Sequence, residues 1–370
     1  MEIMTFDKKN QFFNYFDNET GKSIRTGIYK NKKDSGIDPF MRDFPELIDI
    51  GICGHCDHGK SGLCIQAGIQ CYQSGLTRND PNMSLENYKK IIDESKGKVF
   101  QVALGGSGDP NKHENFKEIL EYTCENNIVP NYTTSGLDLK DEEVEITKKY
   151  CGAVAISQYS RLIKNDDGNY IESNFYTENA INKFLKAGVK TNIHYVLGNN
   201  TIDEAVIRLK NDLFPRDINA IIFLLHKPVG LGRNENVLKF EDLKVKEFFE
   251  LIDNGKFNFK IGFDSCSIPG VLNFTKNINK MSMDTCEGAR FSAYISSDMV
   301  CLPCSFDQDH KWGYDISNDT IQNAWNSTQF ENFRNHLKES CPSCKNRLEC
   351  MGGCPIKSEI VLCNRKDKIC

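Results

Sequence analysis

The segment that decides the fold is 47-LIDIGICGHCDHGKSGLCIQAGIQCYQSG-75. It begins as a short apolar strand, LIDIGI, and continues into a glycine-rich loop with cysteines at positions 53, 56, 64 and 71. Residues 54–61 of this loop also satisfy G-x-x-x-x-G-K-[ST], the pattern of a phosphate-binding loop. The segment therefore poses a choice between a nucleotide phosphate and a metal as the ligand of the loop.

The cysteines of this loop favour the metal. A phosphate-binding loop leads directly into a helix whose N-terminus receives the anion. Residues 61–75 contain three glycines, which would weaken a regular helix there. Thiolates, by contrast, are soft ligands that suit zinc or an iron–sulfur cluster. Four cysteines could close a structural zinc site, whereas three would leave one iron of a cluster open to a small molecule.

The sequence after this loop alternates between apolar runs of strand length and amphipathic runs of helix length. This alternation predicts right-handed βαβ units and an α/β fold with a parallel sheet of six or seven strands. Chemistry in such folds collects in the loops that follow the carboxyl ends of the strands. We also predict an N-terminal hairpin over residues 11–29. The predicted strands are 47–52, 98–104, 129–136, 152–157, 190–197, 219–226 and 257–264, and the predicted helices are 85–95, 115–127, 142–150, 178–187 and 202–213.

Composition and charge exclude several classes of protein. Of the 370 residues, 46 are basic and 51 acidic, and no Lys/Arg block stands out; we therefore predict no nucleic-acid partner. The sequence lacks an apolar run of about 20 residues, the length that spans a bilayer. Its N-terminus also lacks the basic-then-apolar order of a signal peptide. We predict a cytoplasmic protein without a membrane partner.

Sixteen cysteines are many for a cytoplasmic chain, because thiols are kept reduced in that compartment. Cys124 and Cys151 are interpreted as small buried hydrophobes. The segment CPSCKNRLECMGGC, residues 341–354, has the spacing C-x2-C-x5-C-x3-C. Zinc knuckles also use C-x2-C, but this array lacks a ligand-spaced His and has more cysteines than one zinc needs. It favours iron–sulfur clusters in a module that begins near residue 266.

With these motifs the chain, from about residue 47 to residue 370, resembles a radical S-adenosylmethionine (SAM) enzyme with a C-terminal SPASM domain. The resemblance implies a partial (β/α)6 TIM-type barrel followed by a cysteine-rich iron–sulfur module. It divides the chain into an N-terminal extension (1–45), the barrel (46–265) and an auxiliary-cluster domain (266–370). In that family three cysteines hold a [4Fe–4S] cluster whose free iron chelates SAM, and reduction cleaves SAM to a 5′-deoxyadenosyl radical.

The resemblance also assigns ligands to the opening loop. The usual family pattern is C-x3-C-x2-C followed by an aromatic residue, and Cys71-Tyr72 matches its end, although the earlier gaps are longer. The implied cluster ligands are Cys56, Cys64 and Cys71, with Cys53 as an alternative. GGSGDP, residues 105–110, stands where the family has GGE-P, so Asp109 is expected to replace the carboxylate that binds the SAM amino group. The other implied SAM contacts are Tyr72, Gly105, Gly106, Ser107, Thr134, Ser157 and His194.

The C-terminal module is expected to hold two auxiliary [4Fe–4S] clusters. Residues 286–306 and 321–334 resemble the SPASM turn and the helix before its last cysteine array. The implied ligands of the first auxiliary cluster are Cys286, Cys304 and Cys354, with Cys266 or Cys301 as the fourth. Those of the second are Cys341, Cys344 and Cys350, with Cys363 or Cys370 as the fourth.

Because SPASM enzymes commonly act on peptides, the expected function is oxidative maturation of a ribosomally made peptide, such as thioether or carbon–carbon crosslinking. The expected partners are a peptide or protein substrate and a flavodoxin- or ferredoxin-like electron donor. Oxidation of a single Ser or Cys, as in anaerobic sulfatase maturation, is the alternative within the family. From other classes, a zinc-stabilised binding module or a phosphate-loop nucleotide hydrolase remains open. Four candidates for the general base stay unranked: Asp109, His226, Lys227 and Asp264.

Overall fold

The computed structural model describes residues 2–364, so the predicted ligand Cys370 lies outside the described residues. Its strands are β1 (Glu2–Asp7), β2 (Phe12–Asp17), β3 (Lys22–Arg25), β4 (Tyr29–Lys30), β5 (Lys33–Asp34), β6 (Leu47–Cys53), β7 (Gln101–Gly106), β8 (Val129–Thr134), β9 (Ala153–Ser157), β10 (Leu162–Lys164), β11 (Tyr170–Glu172), β12 (Thr191–Leu197), β13 (Ala220–Leu225), β14 (Lys260–Phe263), β15 (Ser292–Ile295), β16 (Val300–Leu302) and β17 (Tyr314–Asp315). Its α-helices are α1 (Leu63–Gln66), α2 (Leu85–Ser95), α3 (Phe116–Glu125), α4 (Asp141–Tyr150), α5 (Tyr176–Ala187), α6 (Ile202–Lys210), α7 (Leu243–Asn254), α8 (Ile268–Phe274), α9 (Ile321–Trp325), α10 (Thr328–Glu339) and α11 (Arg347–Cys350).

A ten-stranded sheet organises the molecule, in the order β14-β13-β12-β9-β8-β7-β6-β15-β16-β17. The strands from β6 to β14 in this sheet pair in parallel, and helices connect them along the chain. The α/β fold predicted from the sequence, a partial barrel of parallel strands, is therefore confirmed. Parallel strands place all their carboxyl ends at one edge of the sheet, so the loops that follow them meet there.

The C-terminal module extends the same sheet. Strand β15 pairs in parallel with β6, with Tyr294 opposite Asp49 and Ile295 opposite Ile50. Strands β16 and β17 then continue the sheet in antiparallel register. The cysteine-rich segment is thus hydrogen-bonded to the barrel's first strand.

The helices cover the outside of the barrel with apolar faces. Helix α2 begins after Ser84, whose hydroxyl accepts from the backbone N–H of Asn87, and it buries Tyr88, Ile91 and Ile92. Helix α5 ends at Gly188, which adopts φ = 80°, a left-handed conformation that glycine tolerates at helix ends. No helix within residues 2–364 is long and apolar enough to cross a membrane.

The N-terminal strands β1, β2 and β3 form an antiparallel sheet that packs against the barrel and the C-terminal module. Phe16 stacks on Phe100 with ring centroids 5.7 Å apart. Arg25 forms ion pairs with Glu46 at the start of β6 (2.6 Å) and with Glu287 of the C-terminal module (2.5 Å). One partly buried guanidinium therefore joins the N-terminal strands, the barrel and the C-terminal module.

Several elements differ from the sequence predictions. Helix α6 ends at Lys210 rather than near residue 213, and strand β7 begins at Gln101 rather than at residue 98. The sequence analysis missed helix α7 and the short hairpin β10–β11 inserted between β9 and α5. The domain boundaries at residues 45/46 and 265/266 stay a prediction.

Arg208 offers a direct test of how the barrel holds its inserted hairpin. Its fully buried guanidinium pairs with Glu172 of β11 at 2.6 Å and with Glu204 of α6 at 2.7 Å. Arg208→Met should lower the free energy of unfolding by about 3–5 kcal/mol, because two carboxylates lose their buried cation. The matched control is Arg216→Met: Arg216 is 83% exposed and lies 3.9 Å from Asp212. This control should cost less than about 1 kcal/mol. The free energies of unfolding are measured by urea denaturation. Equal losses in Arg208→Met and Arg216→Met would show that the buried ion pairs of Arg208 do not stabilise the hairpin.

Candidate active site

A cavity of about 410 Å³ lies inside the barrel at the carboxyl ends of its strands. This volume is within the usual range of small-molecule sites, roughly 300–1,000 Å³. Three parts of the chain form its wall: the cysteine loop after β6, the ends of the parallel strands, and the C-terminal module through Tyr294, Ser305 and Phe306. We define this space as the barrel cavity.

The cysteine loop does not have the geometry of a phosphate-binding loop. After β6 the chain forms a 3₁₀ turn over His58–Ser61 and then α1, which is only four residues long. A phosphate-binding loop would instead lead directly into a long helix. The sequence G-x-x-x-x-G-K-S therefore lacks the structural context on which that interpretation depends.

Three of the four loop cysteines line the barrel cavity, namely Cys56, Cys64 and Cys71. Cys53 is buried at the end of β6, outside the cavity wall, with its Sγ 3.5 Å from the carbonyl oxygen of Asp109. The trio expected from the family resemblance thus faces one space, and the alternative ligand does not. Their identity as cluster ligands stays a prediction.

The surroundings of the trio suit sulfur ligands of a cluster. The backbone N–H of Gly59 donates to Cys56 Sγ at 3.0 Å, and that of Gly75 donates to Cys71 Sγ at 3.4 Å. Burial raises the pKa of Cys56 to about 11 and also raises that of Cys64. Such thiols keep their protons at neutral pH unless a cation replaces them, and iron supplies that charge. The donor set, three cysteine sulfurs with N–H donors, fits a [4Fe–4S] cluster with an open iron.

A site for a single metal ion, such as zinc, needs its ligands closer together than a cluster does. Among residues 2–364, no three His, Cys, Asp or Glu side chains stand together in a way that could hold one metal ion.

The glycines after β7 let the neighbouring loops approach each other. Gly106 has φ = 121°, and a Cβ there would lie 2.4 Å from the carbonyl oxygen of Cys53. The backbone N–H of Ser107 donates to that same oxygen at 2.8 Å. Gly105, Gly106 and Ser107 all line the barrel cavity, as expected of SAM contacts. Because Gly106 lets the cysteine loop approach this closely, it also has a structural role that needs no ligand.

Asp109 ties two loops of the cavity wall together. Its Oδ2 accepts from the hydroxyls of Thr134 at 3.0 Å and Ser135 at 2.6 Å, and its Oδ1 accepts from the Ser135 backbone N–H at 3.0 Å. Thr134 points its hydroxyl at Asp109 and does not line the cavity, whereas Thr133 and Ser135 do. Asp109 is thus already well supplied with donors, and its predicted contact with the SAM amino group stays a prediction.

The remaining predicted SAM contacts line the same cavity. Tyr72 packs against Phe306 of the C-terminal module, with ring centroids 4.5 Å apart. Ser157 stands at the end of β9, beside the buried Tyr159. His194 on β12 lies 3.3 Å from the hydroxyl of Thr133 through Nδ1. Burial lowers the pKa of His194 to about 4, so its imidazole is neutral at physiological pH.

A buried ion pair forms the cavity wall nearest the C-terminal cysteines. Lys227 follows β13 and Asp264 follows β14, and their Nζ and Oδ2 atoms lie 2.5 Å apart. Burial alone would lower the pKa of Lys227, but the charge of Asp264 outweighs it and the pKa is raised. Lys227 Nζ also lies 4.4 Å from the ring centroid of Phe306. The lysine is therefore charged in an almost dry environment.

Four cysteines gather behind this ion pair: Cys266, Cys286, Cys304 and Cys354. The Cys266 thiol is hydrogen-bonded to that of Cys354, and Cys286 and Cys304 lie within electrostatic range of Cys266. Hydrogen bonding to Cys354 and burial raise the pKa of Cys266, and Lys227 opposes this rise. We call these residues the first quartet. They include the three expected ligands of the first auxiliary cluster together with Cys266, one of the two candidates for the fourth; their identity as cluster ligands stays a prediction.

Cys301 lies elsewhere. It is fully buried on β16 in the apolar core, and burial, followed by the charge of Glu94, raises the pKa of its thiol. Of the cysteines predicted for the second cluster, Cys341 and Cys344 lie on the loop after α10, where the backbone N–H of Cys344 donates to the carbonyl of Cys341 at 3.0 Å, and Cys350 ends α11. Cys344 is exposed there. The choice between Cys363 and Cys370 as the fourth ligand stays a prediction, because Cys370 is outside the described range.

The sequence analysis missed two cavity residues that come from the paired strands β6 and β15. Asp49 of β6 and Tyr294 of β15 both line the cavity. The sequence feature that could have identified Asp49 is its position as the one acidic residue of the apolar run 47–52. Tyr294 gave no local signal, because it reaches the cavity only through the pairing of β15 with β6. Its hydroxyl occupies the space beside Gly51, where a Cβ would lie 2.3 Å away.

Comparison with known proteins agrees with this geometry. Residues 286–350 match the SPASM family, described as an iron–sulfur cluster-binding domain. The mycofactocin maturase MftC of Mycolicibacterium smegmatis is 27% identical over 135 residues, covering 36% of this chain and 32% of that protein. The chain therefore spans about a third of the length of the curated relatives it matches.

Two solved structures share the fold. SuiB of Streptococcus suis, bound to its precursor peptide SuiA, superposes with a TM-score of 0.67 at 14% identity, over 96% of this chain and 94% of that one. The protein anSMEcpe with bound AdoMet, which is SAM, superposes with a TM-score of 0.57 at 18% identity, over 85% and 87%. Residues 286–350 therefore match the SPASM iron–sulfur cluster-binding family, and the chain as a whole shares its fold with SuiB and anSMEcpe.

Proposed function

We propose that this protein is a radical SAM enzyme that oxidatively modifies a peptide or protein side chain. The observation that carries the proposal is the placement of Cys56, Cys64 and Cys71 on a cavity whose opposite wall adjoins the first quartet. When bound to a reduced cluster, SAM supplies a 5′-deoxyadenosyl radical, which removes a hydrogen atom from the substrate. The protein's own part is to bind, orient and exclude water.

The cavity wall is suited to those tasks. Gly105, Gly106 and Ser107 leave backbone close to the cysteine trio, where SAM would be chelated. Tyr72 and Phe306 close the side toward the C-terminal module with packed aromatic rings. A site closed by aromatic rings keeps water away from a reactive carbon radical.

The peptide substrate is supported by relatives rather than by a contact in this chain. The protein MftC is a maturase, and SuiB was crystallised with a precursor peptide. We propose the same class of substrate here, with thioether or carbon–carbon crosslinking as the reaction and oxidation of a single Ser or Cys as the alternative. We further propose a cytoplasmic location, two auxiliary [4Fe–4S] clusters and a flavodoxin- or ferredoxin-like electron donor.

The cysteine trio gives the first test of this function. Anaerobically reconstituted protein should absorb broadly near 400 nm, contain about twelve irons per chain, and cleave SAM to 5′-deoxyadenosine after reduction by dithionite. Cys56→Ala, Cys64→Ala and Cys71→Ala should each lose about four irons and all SAM cleavage. Cys53→Ala is the matched control and should retain both, because its thiol lies outside the cavity. A colourless zinc protein, or a Cys53→Ala variant that loses SAM cleavage while Cys64→Ala retains it, would contradict the assignment.

The first quartet gives a second pair of variants. Cys266→Ala should remove about four irons and one of the reduced-cluster EPR signals, while SAM cleavage by the trio's cluster persists. Cys301→Ala should keep all the iron and lose only about 1–3 kcal/mol of stability, since it removes a buried sulfur from the core. If Cys301→Ala lost the iron and Cys266→Ala kept it, the fourth ligand would be Cys301.

Lys227 should set the reduction potential of the first auxiliary cluster. A positive charge beside a cluster stabilises its reduced, more negative form, so Lys227→Gln should lower the midpoint potential measured by EPR-monitored redox titration. The double variant Lys227→Gln/Asp264→Asn leaves the net charge of the pair at zero, as in the wild type. Its midpoint potential should therefore lie near that of the wild type. The exposed Lys239 provides the control substitution Lys239→Gln. An unchanged potential in Lys227→Gln would show that the lysine charge does not reach the cluster.

A further inference from the structure

Asp49 is a carboxylate without a partner in the wall of the barrel cavity. It lies at the middle of β6, between Ala103 of β7 and Tyr294 of β15. Within residues 2–364 its oxygens form no hydrogen bond and no ion pair. Asp49 is partly buried. A carboxylate withdrawn from bulk water normally has such partners, because an unpaired charge there is costly. A structural role would have given this acid a donor, as Asp109 and Asp264 have.

The groups around Asp49 leave it able to exchange a proton. Tyr72 and Tyr294 are the ionisable side chains nearest to it, and burial raises the pKa of both, so they stay protonated. Its neighbour across β7, Ala103, carries no charge. The remaining ionisable groups of the cavity wall outside the cysteine loop are Asp109, Tyr159, His194, His226, Lys227 and Asp264. Burial raises the pKa of Tyr159, so it too stays protonated.

Those other groups are each engaged or neutral. His226 Nε2 lies 3.0 Å from the carbonyl oxygen of Arg233, and burial lowers the pKa of this histidine. Lys227 and Asp264 neutralise each other, and Asp109 accepts from Thr134 and Ser135. Burial lowers the pKa of His194 to about 4, so it is a poor base near pH 7. Burial raises the pKa of Asp49 to about 7, which matches the operating pH of a general acid–base group. The four candidates that the sequence left unranked also line the cavity, but each has a hydrogen-bond or ion-pair partner, whereas Asp49 has none among residues 2–364.

We propose that Asp49 is the proton acceptor of the reaction, a role that rests on the proposed function. After hydrogen-atom abstraction, the substrate carbon radical forms a new bond to a heteroatom X of the peptide, and the X–H bond breaks. The proton passes to the Asp49 carboxylate, and the remaining electron passes to an oxidised iron–sulfur cluster of the same protein. The sum is R• + H–X → R–X + H⁺ + e⁻, so atoms and charge balance.

The placement of Asp49 has a cost in stability that can be measured without any substrate. Its folded pKa lies above its ordinary value of 3.8, so the folded state holds this proton more tightly than the unfolded state. Its destabilising effect is therefore absent below about pH 4 and grows as the pH rises to about 7. Asp49→Asn should then raise the apparent melting temperature at pH 8 and leave it unchanged at pH 4. Asp166→Asn, at an exposed position between β10 and β11, should change it at neither pH.

The catalytic readout uses the coupling between SAM cleavage and peptide modification. The probe is a synthetic peptide that the reconstituted wild-type enzyme modifies, mixed with enzyme, SAM and dithionite. Asp49→Asn should still cleave SAM, but the amount of 5′-deoxyadenosine formed per modified peptide should rise by about 100-fold or more, since general-base catalysis is lost. Asp49→Glu should recover part of the coupling. In the wild type the coupling should improve as the pH rises through about 7, and in Asp49→Asn it should be flat.

The outcomes separate this inference from the proposed function. Absence of SAM cleavage in the wild type would overturn the proposed function, while the pH-dependent stabilisation by Asp49→Asn would still decide whether Asp49 is buried without a partner. Normal coupling in Asp49→Asn, or a melting temperature that responds equally at pH 4 and pH 8, would overturn the role of Asp49. Loss of coupling together with pH-dependent stabilisation supports it.

Discussion

The parallel pairing of β15 with β6 is the constraint on which the rest of this structure depends. It fixes the cysteine-rich module against the first strand of the barrel, with Tyr294 opposite Asp49. Because β6 leads directly into the cysteine loop and β15 follows Cys286 closely, one hydrogen-bonded ladder relates two groups of sulfur ligands. A shift of this register by one residue would turn every side chain of β15 to the other face of the sheet. Gly51 serves the same contact, since it leaves room for the Tyr294 hydroxyl.

The charges around the barrel cavity follow from that arrangement. On the side of the first quartet, Lys227 is compensated by Asp264, so the wall toward the C-terminal cysteines carries a fixed dipole rather than a net charge. On the side of β6, Asp49 has no such compensation. Buried charges without partners are uncommon in structural positions and concentrate at functional ones. Asp264 and Asp49 line the same cavity, but Asp264 has a lysine partner and Asp49 does not. This difference is the basis for assigning them different roles.

The sequence predicted what depends on local pattern. The apolar runs located the parallel strands β6, β7, β8, β9, β12, β13 and β14. Helix α2 begins and ends at the predicted residues 85 and 95. Helix α7 was missed although Val245, Phe248, Phe249 and Ile252 have helical spacing. What depends on distant pairing could not be predicted. Residues 49 and 294 meet only through the sheet, so neither the Tyr294 contact nor the isolation of Asp49 was visible in the sequence.

The same distinction applies to the ligands. Spacing alone left Cys53 beside Cys56, Cys64 and Cys71, and left Cys301 beside Cys266, because each cysteine is plausible in one dimension. The structure separates them by direction: Cys53 and Cys301 face the interior of the fold, and the others face the cavity or the first quartet. The most direct test is an ENDOR spectrum of dithionite-reduced protein with SAM labelled with ¹³C in its carboxylate. We expect a ¹³C coupling to a reduced cluster, because the proposed function requires one iron held by the trio to bind that carboxylate. A reduced cluster spectrum without any ¹³C coupling at saturating SAM would show that no iron of this protein holds the cofactor.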